Sequence, residues 1–401
     1  MELDDPKSSV PAVKTANFRC IDSFRGLAAC LVAFAHFDAN SIIYGSQIFD
    51  SGKIYVDLFF VISGFVIFVN YDTRLRNGYG LMRFMLLRFG RLWPLHMFIL
   101  LLFVTPDILR LLIPSLQSHY HFQNPPFGGE GGGWLEFFAN VFLVHALGFF
   151  HKMGFNGVSW SISTEFYAYA LFGLVLITFK THYKYVVFAL LLISALLLMR
   201  ISADLYATLN CSFLRCCYGF ATGAMTFYCY DALSKKDIQQ SDAPSSFWPD
   251  TMLESCIVAI TLCYIQYFSE GRASFAAPII FGILIFTFAF EKGGLSKLLK
   301  HPFLVFIGSL SYSIYMIHPF ISFKILKPFF TMLSAKGVPL LFHTTDGKVL
   351  FGTTKIAGTL IELGYLILVI LCSYCLFITI ERPCRDYFKR LARRNPNRRL
   401  T

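Results

Sequence analysis

Arg25 and His36 lie eleven residues apart in an otherwise apolar stretch near the start of the chain. At about 100° per residue, eleven steps make roughly three turns, so on one helix these side chains share a face about 16 Å apart along the axis. An ionisable residue inside a membrane span is costly and by default points to function. An imidazole, with an ordinary pKa of about 6.5, can take up and release a proton at neutral pH. A guanidinium can grip phosphate or stabilise a developing oxyanion. Asp22, Arg25, Ala29, Ala33, His36 and Asn40 recur at three- or four-residue steps, drawing a polar stripe flanked by small residues that cannot face lipid cheaply. The competing reading of that stripe is a packing seam with a satisfied core histidine.

Four further runs carry polar groups at helical spacing. In YVDLFFVISGFVI, Asp57 enters the bilayer edge while Ser63 and Gly64 permit close helix contact. In RFMLLRFGRLWPLH, Arg88 and Arg91 are three apart and share a face, a pair suited to phosphates or to anchoring at lipid headgroups. WSISTEFYAY sets Ser161 and Glu165 four apart with Ser163 between them, and Trp160 marks the interface. Glu165 there either orients a partner or does acid/base work. SLSYSIYMIHPF places Ser311, Tyr315 and His318 at i, i+4 and i+7, a face converging with the others near the outer leaflet.

These runs need long apolar elements to hold them, and the composition supplies them. Of 401 residues, 56% are hydrophobic and only 15% charged, against about 25% charge in an ordinary soluble domain. The expected fold is all-α, a polytopic membrane bundle forming a single domain over 1–401. Its spans are expected near 24–43, 54–70, 92–112, 162–179, 185–201, 212–230, 252–268, 274–290, 302–320 and 358–380. The stretch 134–151 is long enough to cross but contains Asn140, His145 and His151, and reads as interfacial or re-entrant.

With a cytoplasmic start, the inner segments hold 24 Lys and Arg and the outer ones nine, which satisfies the positive-inside rule and puts both termini in the cytoplasm. An eleventh crossing at 134–151 would send the eight basic residues after Glu381 outside. The same topology accounts for the net charge of +11 and removes nucleic acid as a partner. The eleven cysteines sit in apolar segments and read as small buried hydrophobes, Cys372 and Cys375 included. The acidic start MELDDP lacks a cleavage pattern, so the first helix is expected to stay as an anchor. The glycine-rich run from Gly128 to Gly133 has no GK[ST] and is no phosphate loop; it reads as a connection or as a mobile lid. The 321–357 connection reads as a second long outer loop.

IDSFRGLAACLVAFAHF, YVDLFFVISGFVIF, RFGRLWPLH, WSISTEFYAY, SYSIYMIHP and the ERP at Glu381 to Pro383 stand in the order found in acyltransferase family 3, which the chain resembles from about 18 to 385. These are integral membrane enzymes that transfer acetyl or related acyl groups onto sugars of surface polysaccharides and other extracytoplasmic hydroxyl compounds. The resemblance implies catalytic His36, Arg25 on the first helix, and Arg88 and Arg91 at an acyl-coenzyme A site. It also implies an inner-membrane location, a carbohydrate or lipid-linked glycan acceptor, acetyl-CoA or another acyl-CoA as donor, and no metal. Tyr55 departs from the family's usual glycine, and no hydrolase-like domain follows the last helix, so a stand-alone membrane module is expected. The alternative function is a proton-coupled transporter, which also wants intramembrane His, Glu and Arg but usually shows inverted repeats. A non-catalytic receptor would tolerate loss of His36.

Overall fold

The computed structural model describes residues 18–115, 125–128, 132–150, 154–206, 210–239, 247–345 and 347–394. His151 and the middle of the glycine-rich run lie outside them, as does much of the outer connection read as a lid. The helices are α1 Arg19–Ala35, α2 Gly52–Arg76, α3 Leu81–Leu112, α4 Trp134–Val141, α5 Trp160–Thr178, α6 Tyr183–Ile201 and α7 Ser212–Gln239. They continue with α8 Phe247–Phe268, α9 Ala277–Ala289, α10 Gly294–Leu299, α11 Pro302–Pro319, α12 Lys327–Ala335, α13 Lys355–Leu376 and α14 Arg382–Arg394. A two-stranded antiparallel hairpin, β1 Leu341–His343 and β2 Val349–Phe351, is the one sheet among the described residues.

Among the described residues, eight helical segments are long and apolar enough to cross a membrane, and the chain is an all-α polytopic membrane protein. Each of the ten expected spans falls on a helix; the two outside those eight are α1, with 17 residues, and α7, with 28. The outward faces are hydrocarbon: Ile193 and Leu196 on α6 and Ile367 and Leu371 on α13 are all exposed. Such a surface is stable only against lipid.

Close packing rests on glycines. A Cβ on Gly64 of α2 would stand 2.1 Å from the Phe220 carbonyl oxygen of α7, and one on Gly223 of α7 would stand 2.0 Å from that of Val61. Small residues let helix backbones touch, which drives association in lipid. Gly223→Val is therefore expected to lower stability by about 3 kcal/mol or more, the upper end of overpacking costs. Thermal unfolding of the detergent-purified protein measures this, and an unchanged midpoint would show that the α2–α7 contact is not needed. Gly26 and Gly308 bring α1 and α11 together in the same way: a Cβ on Gly308 would lie 2.1 Å from the Asp22 carbonyl oxygen.

Three expectations are corrected. The first span starts at Arg19 and ends at Ala35, with His36 as its C-cap, instead of running 24–43. Beyond it, Asn40 N–H donates to Phe351 O at 2.8 Å and Phe351 N–H to Asp38 O at 2.8 Å. That pairing with β2 gives the backbone partners a helix would otherwise supply, so Asn40 leaves the helical stripe and donates to Gly352 O from its side chain. Second, 321–357 is no plain loop, because α11 continues through a π-helical turn, Phe320–Leu326, into α12 and then the hairpin. Third, not every cysteine is buried: all eleven are free thiols, and Cys229, Cys256, Cys263 and Cys375 lie on the exposed surface.

The re-entrant reading of 134–151 fits the structure. α4 has eight residues, about 12 Å of helix against a hydrocarbon core of about 30 Å. Its irregular continuation is held by side chains. His96 Nε2–H donates to Asn140 O at 3.0 Å, Trp93 Nε1–H to Val141 O at 2.9 Å, Ser163 Oγ–H to Leu143 O at 2.5 Å and Ser212 Oγ–H to Ala146 O at 2.5 Å. Non-helical backbone at membrane depth is tolerated where protein satisfies it in this way.

Candidate active site

Five helices, α1, α2, α3, α5 and α11, converge on a narrow neck, a cavity of about 40 Å³ whose polar lining is Arg25, Ser63, Arg91, Ser161, Glu165, Ser311 and the tyrosines Tyr312 and Tyr315. Helical spacing explains the convergence: Ser161 and Glu165 are four apart on α5, and Ser311 and Tyr315 four apart on α11. Glu165 accepts hydrogen bonds from Ser63 Oγ at 2.5 Å and from the Tyr169 hydroxyl. Ser161 Oγ and the Tyr315 hydroxyl are 2.8 Å apart, and Tyr312 donates to Leu92 O at 2.6 Å. Arg25 stands 3.9 Å from Asp22, and Arg91 lies in the field of Glu165, Glu381 and Asp22.

Glu381 is a site residue that residue-by-residue reading missed, although its ERP motif carried the resemblance. Buried at the end of the π-helical segment Phe377–Glu381, it accepts from Ser313 Oγ at 2.8 Å. The neck thus balances two guanidinium groups against three carboxylates, and the cations stay usable because none is locked in a tight bidentate pair.

Arg88 and Arg91 do not act as one fork. Arg91 lines the neck, whereas Arg88 donates to the Tyr71 hydroxyl at 3.1 Å and stacks over that ring at 5.1 Å. Tyr169 feels both charges and stands between them.

His36 sits where α1 stops, half-buried, beyond the neck. Its Nδ1 is 2.8 Å from Val32 O. A carbonyl can only accept, so Nδ1 carries the proton and Nε2 holds the free lone pair, the form a general base needs. The fully buried His318 repeats the arrangement, with Nδ1 donating to Ile314 O at 3.1 Å and Nε2 unpartnered. The two rings are 5.0 Å apart, tilted by 55°. Ser322 Oγ donates to His36 O at 2.9 Å, so the π-helical turn after α11 also fixes this corner.

On the side of the molecule where α1 ends, a second cavity of about 220 Å³ is lined by residues flanking His36 in the chain. Phe34, Phe37, Tyr44 and Phe49 supply aromatic faces, and Asp38, Asp50 and Glu362 supply carboxylates. Glu362 is buried in α13 and takes a hydrogen bond from Ser41. Burial raises the Asp50 carboxyl above its usual range, against the pull of the Gly45 amide at 2.9 Å. No sequence pattern marked this cavity, because its walls come from three distant segments.

The remaining expected residues lie outside the neck lining. Asp57 is fully buried in a bidentate pair with Arg215, Nε–Oδ1 at 2.9 Å and Nη2–Oδ2 at 2.7 Å. Trp160 is buried beneath the Arg215 guanidinium at 5.2 Å. Ser163 holds the re-entrant segment and does not line the neck. Among the described residues no group of three or more His, Cys, Asp or Glu side chains is arranged to hold a metal.

No curated protein and no solved structure matches the chain. The family model described as an acyltransferase domain matches residues 18–378, a range that includes the neck-lining residues from Arg25 to Tyr315, His36, His318 and the second cavity. This membrane protein belongs to acyltransferase family 3.

Proposed function

We propose that the protein transfers an acyl group, acetyl in the first instance, from cytoplasmic acyl-CoA to a hydroxyl of an extracytoplasmic carbohydrate or related glycan acceptor. The location is the inner membrane, both termini are cytoplasmic, and the chain works as one membrane-embedded unit. The observation that carries this reading is the His36 tautomer: Nδ1 is committed to Val32 O, which leaves Nε2 a lone pair at the end of the helix that also carries the neck residue Arg25.

In this reading the donor enters from the basic side. Arg91 and Arg25 hold the charged and polar parts of its arm, Glu165 and Glu381 orient those guanidinium groups, and Arg88 on its tyrosine platform meets phosphate at the mouth. Arg25, three turns from His36, is too far to touch a carbonyl reacting there. At His36, Nε2 takes the acceptor hydroxyl proton while the oxygen attacks the thioester carbonyl. The tetrahedral intermediate then expels the coenzyme A sulfur, which receives the proton from the imidazolium. An acyl-histidine route would use the same lone pair as nucleophile, and a burst of free coenzyme A without acceptor distinguishes it. The outer cavity suits a sugar, whose C–H faces pack on aromatic rings and whose hydroxyls donate to carboxylates.

Arg91→Gln is expected to raise the dissociation constant for acetyl-CoA about tenfold or more, the worth of one charge-assisted contact. Calorimetry on purified protein measures it, and unchanged affinity would reassign Arg91 to charge balance inside the bundle. Glu362→Gln is expected to raise the acceptor KM about tenfold while leaving the donor KM alone. Equal effects on both constants would remove the outer cavity from acceptor binding. The reaction itself is tested by mass spectrometry of surface glycans with and without the gene, where the expected result is loss of one acyl mass. Identical glycan masses would overturn the proposal, and uptake of a solute by vesicles lacking acyl-CoA would favour a transporter.

A further inference from the structure

The largest of the three cavities described here belongs neither to the neck nor to the acceptor side. It encloses about 750 Å³ on the basic side, between the start of α3, Phe166 of α5 and Leu391 and Ala392 of α14. Met82, Met85, Leu86 and Phe89 line it at i, i+3, i+4 and i+7 of α3, whereas Arg88, Arg91 and Leu92 face the bundle interior. At 100° per residue these two sets are centred about 120° apart, so the cavity opens on another flank of the helix. Met82 at its rim is 81% exposed.

Its chemistry is two-sided. Among the described residues the walls are mainly methionine, leucine and aromatic side chains, no carboxylate lines it, and its single charged lining residue is Arg83. The Arg83 guanidinium lies over the Tyr79 ring at 4.8 Å, with a buried Nε that has no hydrogen-bond partner. Beside it α3 begins after Gly80, with no side-chain cap on a helix of 32 residues. The first amide N–H groups of such a helix have no intrahelical partner, and its positive dipole end attracts anions. α14, which closes the cavity, carries Arg382, Arg385, Lys389, Arg390, Arg393 and Arg394 among its thirteen residues. A surface helix of this composition favours an anionic membrane face.

An apolar chamber open to lipid and capped by unsatisfied cationic donors fits a molecule with a phosphate head and a hydrocarbon tail. We propose that this cavity binds one anionic phospholipid, its phosphate at Arg83 and the α3 N-terminus and an acyl chain along Met85, Leu86, Phe89 and Phe166. The phosphate chemistry is shared with the nucleotide end of a coenzyme A, so the test separates the two sources.

The full-length protein is exchanged into mixed micelles containing phosphatidylglycerol or phosphatidylcholine, and retained lipid is counted by native mass spectrometry. The expected result is one phosphatidylglycerol retained at least about tenfold better than phosphatidylcholine, the worth of one charge-assisted contact. Arg83→Gln removes that preference, Met85→Trp fills the chamber and lowers retention of both lipids, and saturating coenzyme A displaces nothing. Equal retention of the two lipids by the wild-type protein overturns the proposal without reference to any variant, and so does displacement by coenzyme A. Retention unchanged in a folded Arg83→Gln variant has the same consequence. These measurements read lipid binding and not turnover, so they stand or fall separately from the acyl-transfer reading.

Discussion

Replacing His36 by Ala is expected to leave a folded, membrane-inserted protein whose acyl transfer falls at least 10²- to 10⁴-fold, the usual contribution of a positioned general base. Folding survives because His36 is the C-cap of α1 and half-buried, its backbone N–H reaching Ala33 O whatever the side chain. The ring's one direct hydrogen bond, to Val32 O, is local, so losing it strands no distant partner. A radiolabelled acetyl-CoA assay on protein with a wild-type size-exclusion profile reads the effect. Wild-type turnover in that variant would end the mechanism, whereas unchanged affinity for acetyl-CoA alongside lost turnover would place the defect at the chemical step.

Breaking the Asp57–Arg215 pair is expected to be the most destabilising single change outside the glycine contacts. Both side chains are fully buried, and Arg215 Nη2 also donates to Lys53 O at 2.7 Å. Asp57→Ala strands a buried guanidinium, whose Nη1 already lacks a partner, at a cost of about 3–5 kcal/mol. Thermal unfolding in detergent should show a large fall for Asp57→Ala and for Arg215→Ala. Asp57→Leu combined with Arg215→Met should lose much less, because an apolar pair of similar volume needs no desolvation. Additive losses in the double variant would mean that each residue acts independently, through contacts other than the pair.

Hydropathy and helical period placed every span on a helix, and the re-entrant reading of 134–151 followed from its polar residues and from the loop charges. Arg25, Glu165, Ser161, Tyr315 and Arg91 converge on one neck as their polar faces suggested, because residues three or four apart on a helix share a face wherever that helix packs. The same reasoning could not supply the tyrosine beneath Arg88, since facing the same way on α3 does not decide which neighbour a side chain rests on.

By itself the sequence determined that the chain is a membrane bundle, which helix faces are polar and which family it belongs to, because apolar length, charge placement and motif order are properties of neighbouring residues. The tertiary structure alone decided that α1 stops before His36, that Asp57 meets Arg215 across 158 residues of chain, that Glu381 is buried near Arg91 and that Glu362 lines the second cavity. Those outcomes depend on which distant groups satisfy a buried donor or carboxylate, and that choice exists only once the helices are packed against one another.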